Sequence, residues 1–147
     1  MIVNKIIDED TKQIIQENEG LNVLYNKSIL ITGASGMIGS YFVYTLMKLN
    51  EDYGANIKII PLVRNLNKLS KIIIDNENVF PIVQDVTEKI EYDGEIDYII
   101  HAASPASPKI MKEKPVETNF ANTVGTANTL ILANQKNVEG YLFISSR

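Results

Sequence analysis

Residues 27–47, KSILITGASGMIGSYFVYTLM, decide how this chain reads. The stretch opens on a short apolar run, Ile29-Leu30-Ile31, between polar residues, the pattern of a parallel strand buried on both faces. Three evenly spaced glycines follow: Gly33, Gly36 and Gly39. Beyond them the apolar residues take helical spacing, with Ile38, Phe42, Leu46 and Leu49 on one face. Strand, glycine turn and helix, in that order, form the setting of a dinucleotide fingerprint. Gly33 turns the chain sharply off the strand, Gly36 lets the backbone approach a pyrophosphate, and Gly39 lets the helix pack closely on the sheet. The free N–H groups and the dipole at the helix start then hold phosphate charge. The spacing is G-x-x-G-x-x-G instead of G-x-G-x-x-G, and a tight turn with no ligand is the plain alternative.

Composition narrows the classes. The chain has 147 residues, 45% hydrophobic and 22% charged, enough for one domain with a real core. A net charge of −4 and the absence of a basic run argue against nucleic acid and anionic membrane as partners. With no cysteine there is no disulfide framework or thiolate metal site, and one histidine makes a protein-built zinc site a poor expectation. No leader-like pattern or long apolar span is present, so the expected location is the cytoplasm.

Working outward, residues 1–26 lie outside a minimal nucleotide-binding unit and read as a helical extension packed on the domain edge. Asp8-Glu9-Asp10 supplies acid at its start, Ile6, Ile7, Ile14 and Ile15 a stripe, and Asn18-Glu19-Gly20 its stop. A partner-binding arm and a mobile tail are the alternatives. Residues 27–147 form the domain proper. Strands are expected at 57–63, 79–83, 96–103 and 141–144, with Pro61 leaving the first of these bulged or irregular near its end. A short helix is expected around Leu66 to Ile73. A long one runs from Pro115 to Gln135, burying Val116, Phe120, Val124 and Leu130 to Leu132. Alternating strands and helices give an α/β, Rossmann-like, doubly wound parallel sheet of order 3-2-1-4-5. Ligands of such sheets bind at the carboxyl ends of the strands.

At the end of the second strand, where Asp or Glu usually meets a ribose 2′-hydroxyl, the chain reads Leu62-Val63-Arg64-Asn65. A guanidinium suits a 2′-phosphate, so among NAD(P) cofactors Arg64 leans the reading to NADP. A solvated surface arginine is the alternative, and Lys68 is either a second phosphate contact or an exposed helix residue.

The string Thr32-Gly33-Ala34-Ser35-Gly36-Met37-Ile38-Gly39 resembles the motif of extended short-chain dehydrogenases/reductases, the group that includes the NAD-dependent epimerases and dehydratases of nucleotide sugars. The resemblance extends over about residues 27–147. It implies cofactor contacts at Gly33, Ser35, Gly36, Met37, Ile38 and Gly39. It further implies that Asp85 and Val86 lie against the adenine, with a simple turn aspartate as the alternative. Ala102, Ala103 and Ser104 would pass close to the pyrophosphate and nicotinamide ribose, and His101 would be a packed structural residue. Asn122-Thr123-Val124-Gly125-Thr126 is similar to the family's Asn-Val-x-Gly-Thr, which makes Asn122 a supporting catalytic residue, with Asn119 as competitor. Ser146, ahead of Ser145, matches the catalytic serine after the fifth strand.

Its partner would be a Tyr-x-x-x-Lys helix, and the chain stops before the place for one. Tyr44 and Lys48 have that spelling but sit on the first helix, far upstream, and read as one i,i+4 pair on a helix. What is implied is the cofactor half of a nucleotide-sugar epimerase or dehydratase, truncated after the fifth strand, binding a dinucleotide but not completing catalysis alone. The parent's partners would be a nucleotide sugar and, through apolar surface left bare, a second copy in a homodimer. Two other readings stand: a non-catalytic dinucleotide sensor or regulatory protein, and an NADP-dependent reductase of the same group.

Overall fold

Strand β1, Ser28–Thr32, is the middle of a five-stranded all-parallel sheet in the order β3-β2-β1-β4-β5. The computed structural model describes residues 4–105 and 107–145. The other strands are β2 (Lys58–Val63), β3 (Ile82–Val83), β4 (Tyr98–His101) and β5 (Gly140–Phe143). Helices are α1 (Lys5–Glu17), α2 (Met37–Tyr53), α3 (Lys71–Ile74), α4 (Pro108–Glu113) and α5 (Pro115–Lys136). The expected order is the observed one.

A continuous apolar strand has both faces covered, and β1 shows why its sequence does not alternate. Ile29 and Ile31 enter a core with Val43, Met47 and Ile59 beneath α2. Leu30 enters another with Ile60, Val86, Ile99 and Leu132 on the α5 side. All three β1 residues are essentially inaccessible, each contributing about 1.5–3 kcal/mol by burial.

Four expectations are corrected. Pro61 does not bulge β2: it keeps register with Ile31 in β1, and the β2–β3 pairing is also even. The reason is the pleat. Both backbone groups of Ile59 bond toward the third strand, so by alternation the missing N–H of Pro61 faces that side too. There the irregularity falls on the edge: of the expected 79–83 strand, only Ile82–Val83 is regular, with a lone bridge at Val79. Second, the helix expected around Leu66 to Ile73 is split into a 3-10 turn, Leu66–Lys68, and α3.

Third, the extension is helical and packs along α2, but α1 starts at Lys5, capped by Asn4, ahead of the acidic triplet. Its inner face is Thr11 and Ile15, while Ile6 is exposed. Lys48 on α2 is nearly buried and pairs with Asp8 on α1 at 3.3 Å and with Asp52 at 3.1 Å. Tyr41 donates to Asp10 at 2.7 Å. Burial works against the Lys48 charge, but hydrogen bonds to Asp52, Asp8 and Glu51 outweigh it and push the ammonium up to about 12. Tyr44 is equally engaged, with its hydroxyl 2.8 Å from Ser70. Tyr44 and Lys48 are thus both buried and engaged in the packing of α2 against its neighbours.

Fourth, α5 buries Thr118, Gly125, Thr129, Leu132 and Ala133. Val116, Phe120, Leu130 and Ile131 are exposed. Small and hydroxyl-bearing residues seat the helix because it approaches the loop after β3 too closely for large ones. A Cβ on Gly125 would stand 2.8 Å from Cγ2 of Val86.

Candidate functional site

The carboxyl ends of β1, β2 and β4 open into a groove of about 670 Å³, within the size range of small-molecule sites. Gly33 leaves β1 at φ +67°, a conformation that disfavours side chains, and a Cβ there would stand 2.6 Å from the Ala102 carbonyl oxygen. The chain thus passes from β1 into α2 directly against the end of β4. No side chain caps α2, whose first N–H groups have no acceptor within the helix.

The groove collects most of the residues expected from sequence. Gly33, Ser35 and Gly36 line it from the turn, Arg64 from the end of β2, Asp85 and Val86 from the loop after β3, and Ala102, Ala103 and Ser104 from the end of β4. Arg64 is exposed and makes no hydrogen bond or ion pair among the described residues. Asp85 uses Oδ1 to accept from the backbone and hydroxyl of Thr87, both at 2.9 Å, and so closes its own turn.

Other expected residues lie elsewhere. Gly39 is buried beneath the turn, against Gly33. The side chains of Met37 and Ile38 face a second, apolar groove between α1, α2 and the β4–β5 end of the sheet. Only their backbone stands at the α2 start. The Asn122 side chain is exposed and does not line the groove. Asn119 lies beside Pro115 and Phe120, also outside it. Ser146 lies outside the described residues.

Sequence reading missed three contributors. Thr32, wholly buried, accepts the N–H of Ala103 at 3.2 Å and lies 2.7 Å from Nδ1 of His101. Asn128 on α5 donates to the carbonyls of Val86 and Glu88 at 2.8 and 2.9 Å, pinning the loop that carries Asp85. Its signal was its place three residues after Gly125 on the same helical face. Lys114, just before α5, brings a second cation to the groove. His101 is buried, stacks on Phe143 with centroids 5.7 Å apart, and has its imidazole held below its ordinary pKa by burial.

Among the described residues no cluster of His, Cys, Asp or Glu suits a metal, and no helix is long and apolar enough to cross a membrane. A parallel sheet of this order, with a glycine turn feeding a groove at the strand ends, defines a Rossmann-like α/β domain. The chain belongs to the NAD dependent epimerase/dehydratase family, whose profile matches residues 29–147. It is 39% identical over 112 residues to UDP-glucuronic acid decarboxylase 6 of Arabidopsis thaliana, covering 75% of this chain and 31% of that protein. It is 36% identical over 124 residues to UDP-glucuronic acid decarboxylase 1 of Danio rerio, covering 82% and 27%. The chain thus spans less than a third of these relatives' length. Among solved structures, the epimerase Mth375 of Methanothermobacter thermautotrophicus superposes with a TM-score of 0.72 at 21% identity, over 97% of this chain and 39% of that one. The Bordetella bronchiseptica enzyme WbmF, solved with NAD+, gives 0.67 at 16%, over 82% and 36%. These two likenesses concern the fold.

Proposed function

We propose that this chain supplies the dinucleotide-binding part of an enzyme acting on a nucleotide sugar, with the groove at the strand ends as its NAD(P) site. The observation that carries this reading is the Gly33 turn: it passes too close to the Ala102–Ala103 backbone for any side chain, and so brings the uncapped start of α2 to the mouth of the groove. Phosphate charge is met there by backbone N–H groups instead of side-chain cations. The small residues Ala102 and Ala103 leave room along the floor. Asp85 and Val86 border the adenine end, and Asn128 holds their loop against α5. A nicotinamide held there would supply a reversible hydride acceptor for the carbon that bears a sugar hydroxyl, whose proton leaves separately.

Ser146 and Asn122 are assigned to the reacting end. Ser146 would hydrogen-bond the substrate oxygen, and Asn122, exposed on α5 outside the groove, would support it from the helix behind. The nucleotide-sugar class rests on the decarboxylase relatives.

Arg64, unpaired among the described residues where an acid would meet a ribose, favours NADP over NAD. Calorimetric titration with both cofactors tests this. Tighter NADP binding, lost in Arg64→Ala while NAD binding persists, is the expected result. Tighter NAD binding would overturn the role of Arg64 and leave the groove standing.

A further inference from the structure

The hydrogen bonds around His101 have only one consistent direction. Thr126 Oγ1 lies 2.7 Å from the Asn122 carbonyl, which only accepts, so its single proton is committed there. Nε2 of His101 is 3.1 Å from that same oxygen and must donate to it. The neutral ring therefore carries its proton on Nε2, and Nδ1 accepts from Thr32, whose oxygen in turn accepts the Ala103 N–H. The relay runs from the groove floor through β1 and β4 to α5. A second proton on Nδ1 would face Thr32 with two donors and leave its own proton, fully buried, without its acceptor.

Resting on the dinucleotide reading, we infer that His101 is a positioning residue of the groove: neutral, it holds the Ala102–Ser104 segment against β1, and protonation at Nδ1 releases that segment and weakens dinucleotide binding. The elements around the ring present Thr32, Thr126 and the Phe143 ring, none of which ionises near neutral pH. The charged groups sharing the groove with Ala103 are Arg64, Asp85, Lys114 and Glu117. Stacking on Phe143 favours an imidazolium modestly, but it supplies no acceptor for the Thr32 proton. Burial of the ring acts the other way and lowers its pKa.

The chain has one histidine, so its imidazole nitrogens are assigned without ambiguity in a 15N-labelled sample. The expected results are an Nε2–H tautomer at neutral pH and an Ala103 amide resonance that shifts with the imidazole midpoint. NADP affinity, measured by calorimetry, should fall at the same midpoint. His101→Ala should weaken affinity about tenfold, the scale of one lost hydrogen bond. His101→Asn, whose Oδ1 replaces Nδ1 as acceptor, should recover most of that and show affinity flat across the midpoint. An Nδ1–H tautomer, or an Ala103 amide indifferent to the titration, would overturn the inference. Failure of the unsubstituted chain to bind either dinucleotide, with tautomer and amide coupling as described, would overturn the groove's ligand assignment and not the relay.

Discussion

Thr32 Oγ1 and His101 Nδ1 stand 2.7 Å apart, although 69 positions separate the two residues along the chain. The contact joins the carboxyl ends of β1 and β4, which are register partners in the sheet. The only histidine of the chain is thereby consumed in holding the site together.

Stability should follow the protonation of that ring. Burial holds the folded-state pKa of His101 below the unfolded value of about 6.5. The unfolded chain then binds the extra proton first, so this contribution is complete above the unfolded pKa and is lost as pH falls through the folded one. Urea unfolding midpoints should decline as pH falls below about 6.5, and His101→Asn should remove that part of the decline. Superimposable pH profiles would refute the assignment.

Gly33→Ala should lower stability by about 1–3 kcal/mol, the cost of forcing a side chain into a sparsely populated backbone region. The added methyl also meets the Ala102 carbonyl, so dinucleotide binding should fall even where the variant remains folded. Thermal melting with and without NADP separates the two effects. Unaltered binding would mean that the turn does no more than redirect the chain.

Gly125→Ala tests the seat of α5. Alanine is the better helix former by about 1 kcal/mol, but its Cβ would meet Val86 at 2.8 Å. Overpacking of about 1–3 kcal/mol should win, lowering stability and displacing the Asp85–Val86 loop. A stabilised variant would show that the contact yields freely.

Much of this architecture was legible because parallel strands announce themselves as unbroken apolar runs and the glycine turn fixes where the first one ends. What escaped has particular causes. The inner face of α5 was only partly legible from hydrophobicity: Leu132 is buried as expected, but Thr118 and Thr129 share the seating while Phe120 and Ile131 face outward. The six-residue α4 has too few turns for a periodic signal. Thr32 looked like the last residue of a strand, because nothing local shows that its hydroxyl will meet His101. Pro61 was read as a disruption because the direction of its missing donor depends on strand order.

Lys48→Met should loosen α1. It removes the cation shared by Asp8, Glu51 and Asp52, at a cost of about 1–2 kcal/mol because those carboxylates retain water. Amide exchange should rise across residues 5–17 with little change in β1. Uniform protection would mean that Ile15 and Thr11 hold the helix unaided.

Exposed Val116, Phe120, Leu130, Ile131, Leu142 and Phe143 should make the chain associate with itself. Sedimentation velocity should show a weight-average coefficient rising with concentration. A concentration-independent monomer would argue against it.

The most direct test of the account is a 1H–15N spectrum of the chain recorded with increasing NADP. Resonances should move at residues 33–39, at Asp85 and Val86, and at residues 102–104, marking one groove at the strand ends. Shifts confined to the apolar groove lined by Phe42 and Leu46, or none with either dinucleotide, would contradict it.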